Sequence, residues 1–275
     1  MTARPAALGK EAGRIAFGGD PAGYAQARPP YPPALFAELA RLIDLSGARL
    51  FEIGPGTGLA TRPLLAMGPA HHLAIEPDAR LAEWLARACA DLPVRPEIRV
   101  GSFEDTPLAA ERFDFGCAAT AFHWLDEDAA LARVLAALKP GGLWAMWWNV
   151  YGDPDAPGPL QQAAQPLFAA IAATPSSRGG PRAPFGLDAP ARLAALDRAG
   201  FVDTGSWRAR WTVRQSAAQA RALAATYSGV AMAPPDVRAT FLDALEVLVH
   251  TRFGGHVEQA YVTALYWGRK PRHQP

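Results

Sequence analysis

The sequence predicts an α/β protein in which strands alternate with helices around an open, mostly parallel sheet. Three observations carry this expectation. Leu50, Phe51 and Ile53 form a short apolar run that enters Gly54-Pro55-Gly56-Thr57-Gly58 and continues into a helix-like stretch over 59–67. A strand, a glycine turn and a helix in that order open a βαβ unit, with the strand buried on both faces. A second strand, His72-Leu73-Ala74-Ile75, ends in Glu76, eighteen positions beyond Gly58. Strand-like and helix-like segments then keep alternating to the end of the chain.

The elements follow in order. Residues 1–23 are expected to be a mobile arm. Pro29, Pro30 and Pro32 around Tyr31 stiffen an extended segment. Residues 35–45 read as an amphipathic helix with Leu35, Leu39, Leu42 and Ile43 on one face. After the glycine turn and the second strand, Asp78 is the expected N-cap of a helix over 79–90, with Leu81, Trp84, Leu85 and Ala88 inward. Residues 98–101 form a third strand that leads into the loop Ser102-Phe103-Glu104-Asp105, and residues 113–120 form a fourth. Asp126 caps a helix through residue 138. Lys139-Pro140-Gly141-Gly142 turns into a fifth strand over 143–150, which carries Trp144, Trp147 and Trp148.

Residues 151–186 are rich in Pro, Gly, Ala and Ser and read as an irregular excursion with one short helix near 159–173. A helix over 189–199 is stopped by Gly200, and a strand follows over 202–213. Helices over 216–227 and 235–252 precede a last strand over 256–269, where Val257, Gln259, Tyr261, Thr263 and Leu265 alternate with their neighbours. The whole of 1–275 is expected to be one domain, with 151–186 and 214–255 inserted on the substrate side.

Composition narrows the function classes. A chain of 275 residues can bury a core without disulfides. Lys plus Arg is 27 and Asp plus Glu is 26, so there is no electrostatic footprint for nucleic acid. Only the tail, Arg269 to His273, is locally basic. Cys89 and Cys117 lack metal-ligand spacing and suit reduced core thiols in a cytoplasmic protein. No apolar run approaches the roughly 20 residues of a membrane span, and the polar, Gly- and Pro-broken start does not resemble a signal peptide. No membrane partner and no metal site are expected. Oligomeric state is open.

Three details decide what the glycine turn can hold. A dinucleotide fingerprint requires a third glycine where Leu59 stands. A phosphate loop of the Walker type requires a Lys-Ser or Lys-Thr pair, and none follows. Glu52, inside the strand just before the glycines, would repel a pyrophosphate and suits a ligand with a cationic part.

Glu52-Ile53-Gly54-Pro55-Gly56-Thr57-Gly58 resembles the first motif of the class I S-adenosylmethionine-dependent methyltransferases: an acid, an apolar residue, then G-x-G-x-G. The resemblance implies a Rossmann-like, seven-stranded, mostly parallel sheet with helices on both faces and a helical lid. It implies S-adenosylmethionine as cofactor and S-adenosylhomocysteine as product. Gly54, Gly56 and Gly58 would then lie under the cofactor. Glu76 would accept both ribose hydroxyl protons, a role that suits a carboxylate with two acceptor oxygens beside the turn. Ser102 and Phe103 occupy the adenine loop of similar enzymes, and Thr120 ends the fourth strand beside the cofactor. Tyr24 and Arg28, in a segment similar to the Tyr and R-P-x-Y-P of many small-molecule methyltransferases, are implied to approach the methionine carboxylate.

Ala121-Phe122-His123-Trp124 lies past the fourth strand, where open parallel sheets place their chemistry. It resembles a small-molecule group that includes the trans-aconitate methyltransferases. His123 is the best-placed general base on the chain, or else a loop anchor. Trp124, Trp148 and Asn149 are expected to line the acceptor pocket. The reading is methyl transfer to a small-molecule acceptor at O, N or C, with a carboxylate or hydroxyl favoured. Two alternatives stand beside it: a protein that keeps fold and cofactor without methyl transfer, and an NAD(P)-dependent oxidoreductase.

Overall fold

The computed structural model describes residues 6, 9, 10, 17–177 and 183–272. Parts of the expected N-terminal arm, residues 178–182 of the excursion and His273 of the basic tail lie outside the described residues. Seven strands form one sheet in the order β3-β2-β1-β4-β5-β7-β6. They are β1 Arg49–Ile53, β2 His71–Glu76, β3 Glu97–Val100, β4 Phe113–Ala119, β5 Leu138–Tyr151, β6 Val202–Ser216 and β7 His256–Arg269. β1 runs parallel to β2 and β4, β2 parallel to β3, and β4 parallel to β5. The chain moves outward from β1 to β3 and returns to β4 on the other side of β1. This puts the topological switch point, where open α/β sheets bind ligands, at the carboxyl ends of β1 and β4.

The helices are α1 Pro21–Ala27, α2 Pro33–Leu42, α3 Thr61–Ala66, α4 Ala79–Ala88, α5 Glu127–Ala137, α6 Pro159–Ala164, α7 Ala189–Arg198, α8 Ala217–Ala225, α9 Ser228–Ala231 and α10 Pro235–Phe253. The chain divides into two compact units. One comprises Met1–Pro29, Asn149–Leu187 and Ala209–Val262, and the other Pro30–Trp148, Asp188–Arg208 and Thr263–Pro275.

The second unit is built on β1. Leu50 and Phe51 have no exposure, as the apolar run requires of a central parallel strand. Phe51 lies between Phe103 and Trp144, with ring centroids 6.4 and 6.1 Å away. The neighbouring position on β4 is Gly116, where a Cβ would run into the Phe51 ring. A further cluster joins Leu35 and Leu39 of α2 to Leu64, Phe115, Leu143 and Trp147. The first unit has its own core, in which Leu160, Ala220, Ala224, Phe241, Leu245 and Val249 pack together.

Several elements depart from the sequence expectation, each for a local reason. Tyr24 sits in a helix, α1, rather than in an arm or an extended segment. Asp20 caps it by accepting from the Gly23 N–H at 2.9 Å, and Pro21 fills the first turn. α2 stops at Leu42, because Ile43 is already extended at φ −153° and ψ 138°. The glycine helix begins only at Thr61, since Gly58 holds φ 90°. The Lys-Pro-Gly-Gly turn belongs to β5: Gly141 N–H donates to Lys270 O and Lys270 N–H donates to Gly142 O, both at 2.9 Å. The helix near 159–173 is six residues of α6 followed by a 3-10 stretch, Gln165–Ala170, where Pro166 ends the α pattern. Asp78 and Asp126 cap their helices as expected, accepting from the N–H groups of Arg80 and Ala129 at 3.0 Å.

Candidate active site

The glycine turn joins β1 to α3, and its three glycines are there for different reasons. All have positive φ: 62° at Gly54, 58° at Gly56 and 90° at Gly58. This region is costly for residues with a Cβ. At Gly54 a Cβ would also stand 2.7 Å from the Ala121 Cβ, and at Gly58 it would stand 2.8 Å from Leu85 Cδ1. Gly54 therefore lets the end of β4 close on the turn, and Gly58 lets α4 close on it. A Cβ at Gly56 would meet nothing within 4 Å. Packing does not explain that glycine, and its bare backbone faces open space.

Glu76 meets Gly56 from the end of β2. Its Oε2 accepts the Gly56 N–H at 3.0 Å and its Oε1 accepts the Asp78 N–H at 3.1 Å. The residue is only 3% exposed. That burial pushes its carboxyl up to about 7, against the two backbone N–H groups that favour the charged form. The nearby acids Asp78 and Glu52 add to the rise. The backbone N–H of Gly101 donates to Glu76 O at 3.0 Å and ties the start of the β3 loop to the same corner.

Glu52 is fully buried beneath the turn. Its Oε2 accepts Thr61 Oγ1–H at 2.7 Å and lies 3.0 Å from His72 Nε2. Its Oε1 has no hydrogen-bond partner among the described residues, and neither has the buried Thr57 Oγ1 between Gly56 and Gly58. Orphaned buried oxygens are uncommon and call for an explanation. Sequence reading left Thr57 out; only its place between two glycines signalled it.

The loop after β3 is largely self-supporting. Ser102 Oγ donates to Asp105 at 2.6 Å and accepts the Asp105 N–H at 3.1 Å. Phe103 is buried against Phe51.

Thr120 follows β4 with φ 55°, an unusual value for a β-branched residue, of the kind that clusters at functional sites. Its N–H donates to Trp147 O at 2.7 Å, and its Oγ1 lies 2.8 Å from Tyr31 Oη. Tyr31 is thus a supporting residue that the sequence placed only in a proline-stiffened segment. Phe122, His123 and Trp124 then form one 3-10 turn. His123 is buried, and its Nδ1 accepts Trp148 Nε1–H at 3.1 Å. Its ring packs on Trp124 with centroids 4.7 Å apart. The second unit therefore brings together Glu52, the glycines, Glu76 and the Ser102–Phe103 loop, and separately ties Thr120 to Tyr31 and His123 to Trp148.

Tyr24, Arg28 and Asn149 belong to the first unit. Arg28 donates from Nη1 to Tyr151 Oη at 2.6 Å, from Nε to Thr226 Oγ1 at 2.8 Å and from Nη2 to Thr226 O at 2.7 Å. Its guanidinium carbon lies 4.8 Å from the ring centroids of both Tyr24 and Tyr151. Asn149 is buried at the same unit's end of β5. Tyr151, Thr226 and Tyr227 were absent from the sequence reading, because segments far apart in the chain bring them to Arg28.

Among the described residues no group of three or more His, Cys, Asp or Glu could hold a metal ion, and no helix is long and apolar enough to cross a membrane. Both cysteines are buried and free.

Comparison with known proteins bears on this geometry. Residues 51–146 match the family model described as methyltransferase domain. An uncharacterized methyltransferase of Schizosaccharomyces pombe is 30% identical over 135 residues, which cover 49% of this chain and 52% of that protein. The ribosomal RNA small subunit methyltransferase A of Paracoccus denitrificans is 47% identical over 77 residues, 27% of each chain. A solved structure described as a candidate type II methyltransferase from Anaeromyxobacter dehalogenans has a TM-score of 0.65 at 21% identity, over 90% of this chain and 99% of that one. At that identity it speaks for the fold. The chain spans about half the length of the curated relatives it matches first. By fold and by its central segment, the chain belongs to the class I S-adenosylmethionine-dependent methyltransferases. These likenesses do not extend to the trans-aconitate-like subgroup.

Proposed function

We propose that this protein transfers a methyl group from S-adenosylmethionine to a small-molecule acceptor. The observation that carries the reading is Gly56. Its bare backbone faces open space, flanked by a buried carboxylate from β2 and by two buried oxygens without partners. These features fit the cofactor. Glu76 would accept from the ribose hydroxyls, and Gly54, Gly56 and Gly58 would pass beneath the ligand. Glu52 Oε1 offers an acceptor for an ammonium N–H, and Ser102, Phe103 and Thr120 border the same corner. When bound, S-adenosylmethionine supplies an electrophilic methyl group on a sulfonium.

The protein's part is to align the acceptor with that methyl group and to exclude water, for which proximity alone supplies several kcal/mol. His123, Trp124, Trp148 and Asn149 are the residues proposed to face the acceptor. A hydroxyl acceptor needs a base, and a carboxylate does not. Trp148 donates to His123 Nδ1, so a neutral His123 carries its proton on Nε2. That tautomer donates a hydrogen bond and suits an acceptor that is already ionised. The segments 151–186 and 214–255 are proposed to act on the acceptor side.

The test is incubation with methyl-labelled S-adenosylmethionine and a cell extract separated afterwards into small molecules, protein and RNA. Label in the small-molecule fraction, lost in Gly56→Val, is the expected result. Label confined to RNA would replace the small-molecule reading, a contrast made pointed by the short match to a ribosomal RNA enzyme.

A further inference from the structure

We infer that Arg28, Tyr24, Tyr151 and Tyr227 form an oxyanion site that takes a carboxylate of the acceptor. The inference rests on the methyltransferase reading in one respect only, that the bound anion belongs to an acceptor. The site itself stands on its composition. Arg28 is a partly buried cation whose bonds all go to neutral groups, the Tyr151 phenol and the hydroxyl and carbonyl of Thr226. Among the described residues no carboxylate pairs with it. Sheltered charges are ordinarily paired, because an isolated one loses solvation without compensation. The guanidinium also carries more N–H groups than these bonds use.

The surroundings supply donors rather than acceptors. Tyr24 and Tyr151 both flank the guanidinium. Tyr227 packs on Tyr151 with ring centroids 5.2 Å apart, and its hydroxyl bonds no described residue. Tyr151 accepts from Arg28, which leaves its own O–H to donate. Burial holds the Tyr151 phenol up at about 12 and the Tyr227 phenol higher still, so both keep their protons at neutral pH. One fixed positive charge with several phenol donors matches a singly charged, planar carboxylate. A phosphate dianion would require more cations.

The cofactor also carries a carboxylate, so the same chemistry has two sources. The acceptor is favoured because Tyr24, Arg28, Tyr151, Thr226 and Tyr227 all lie outside residues 51–146, the segment shared with methyltransferase domains. The glycine turn and Glu76 lie inside it. Groups that recognise an acceptor belong where the chain departs from its relatives.

The experiment is calorimetric titration of the protein saturated with S-adenosylhomocysteine, using acetate, benzoate, succinate and citrate as probes, with acetamide and benzamide as uncharged controls. At least one carboxylate should bind where its amide does not. Arg28→Gln should weaken that binding by ~10-fold or more, as expected for a charge-assisted hydrogen bond. Tyr227→Phe should weaken it a few-fold with no change in melting temperature, since the lost hydroxyl bonds no described residue. S-adenosylhomocysteine affinity should stay within about twofold in both variants.

No carboxylate binding in the wild type, or binding unchanged in both variants, overturns the site. A loss of S-adenosylhomocysteine affinity in Arg28→Gln, with 5′-methylthioadenosine binding unchanged, assigns Arg28 to the cofactor's carboxylate and overturns the acceptor assignment. Failure of the wild type to bind S-adenosylhomocysteine at all would overturn the methyltransferase reading itself and is seen before any probe is added.

Discussion

Cofactor affinity should depend on pH through Glu76, and the structure sets both sign and size. The perturbation is the pair of Glu76→Gln and a pH change from 6 to 8. Glu76 is buried and its carboxyl is pushed up to about 7, so the unliganded protein is near half protonation at neutral pH. Two ribose hydroxyls can both donate only to the ionised form. Binding therefore selects the carboxylate, and the ionised fraction sets the apparent affinity. That fraction rises about tenfold between pH 6 and pH 8 for a group at about 7, which is about 1.4 kcal/mol of binding free energy. S-adenosylhomocysteine should bind about tenfold more tightly at pH 8 than at pH 6 and should release a proton near pH 7.

Glu76→Gln should flatten this dependence and bind more weakly at pH 8, by about 1–3 kcal/mol for the lost charged acceptor. The assay is isothermal titration calorimetry at pH 6, 7 and 8 in buffers of different ionisation heat, which counts the protons directly. A wild-type affinity flat across this range, or the same slope in Glu76→Gln, would refute the reasoning.

The same group has the opposite effect on the unliganded fold. A carboxyl raised from 4.5 to about 7 contributes stability that is fully present below 4.5 and is lost as pH rises through about 7. The loss amounts to about 3 kcal/mol. Glu76→Gln should therefore be more stable than the wild type at pH 8 and should unfold with less pH dependence.

Three further outcomes follow from local geometry. Gly56→Val should fold, at a cost of about 1–2 kcal/mol for the positive φ, yet lose S-adenosylhomocysteine binding; calorimetry beside a thermal melt separates the two effects. Gly116→Ala should destabilise by about 1–3 kcal/mol in denaturant titration, because its Cβ must displace the Phe51 ring. On an identified acceptor, His123→Ala should lower turnover while S-adenosylhomocysteine affinity stays nearly intact. Trp148→Phe, which removes the bond to Nδ1, should then alter the pH–rate profile; unchanged turnover in both variants makes His123 a structural residue.

The sequence was most legible where one residue type has one physical use. Glycines at positive φ, an acid at a strand end and aspartates before helices all announced themselves, and Gly54, Gly56, Glu76, Asp78 and Asp126 stand where that chemistry requires. It was less legible where two uses share one pattern. Gly54, Gly56 and Gly58 look alike in the chain, yet two admit a neighbouring side chain and one faces open space. α1 was missed because Asp20-Pro21 was passed over as part of an arm, although that pair caps and starts a helix. Least legible were contacts over long separations. Thr226 reaches Arg28 across 198 residues, and no periodicity points to it.

The central claim, that the Gly56 turn holds the adenosyl cofactor, is tested most directly by titrating S-adenosylhomocysteine and NADH side by side at pH 8 into wild type and Gly56→Val. S-adenosylhomocysteine should bind the wild type alone and raise its melting temperature by mass action, by RT ln(1 + [L]/Kd), while NADH binds neither protein. Equal affinity of the two proteins for S-adenosylhomocysteine, or binding of NADH in its place, would contradict the account.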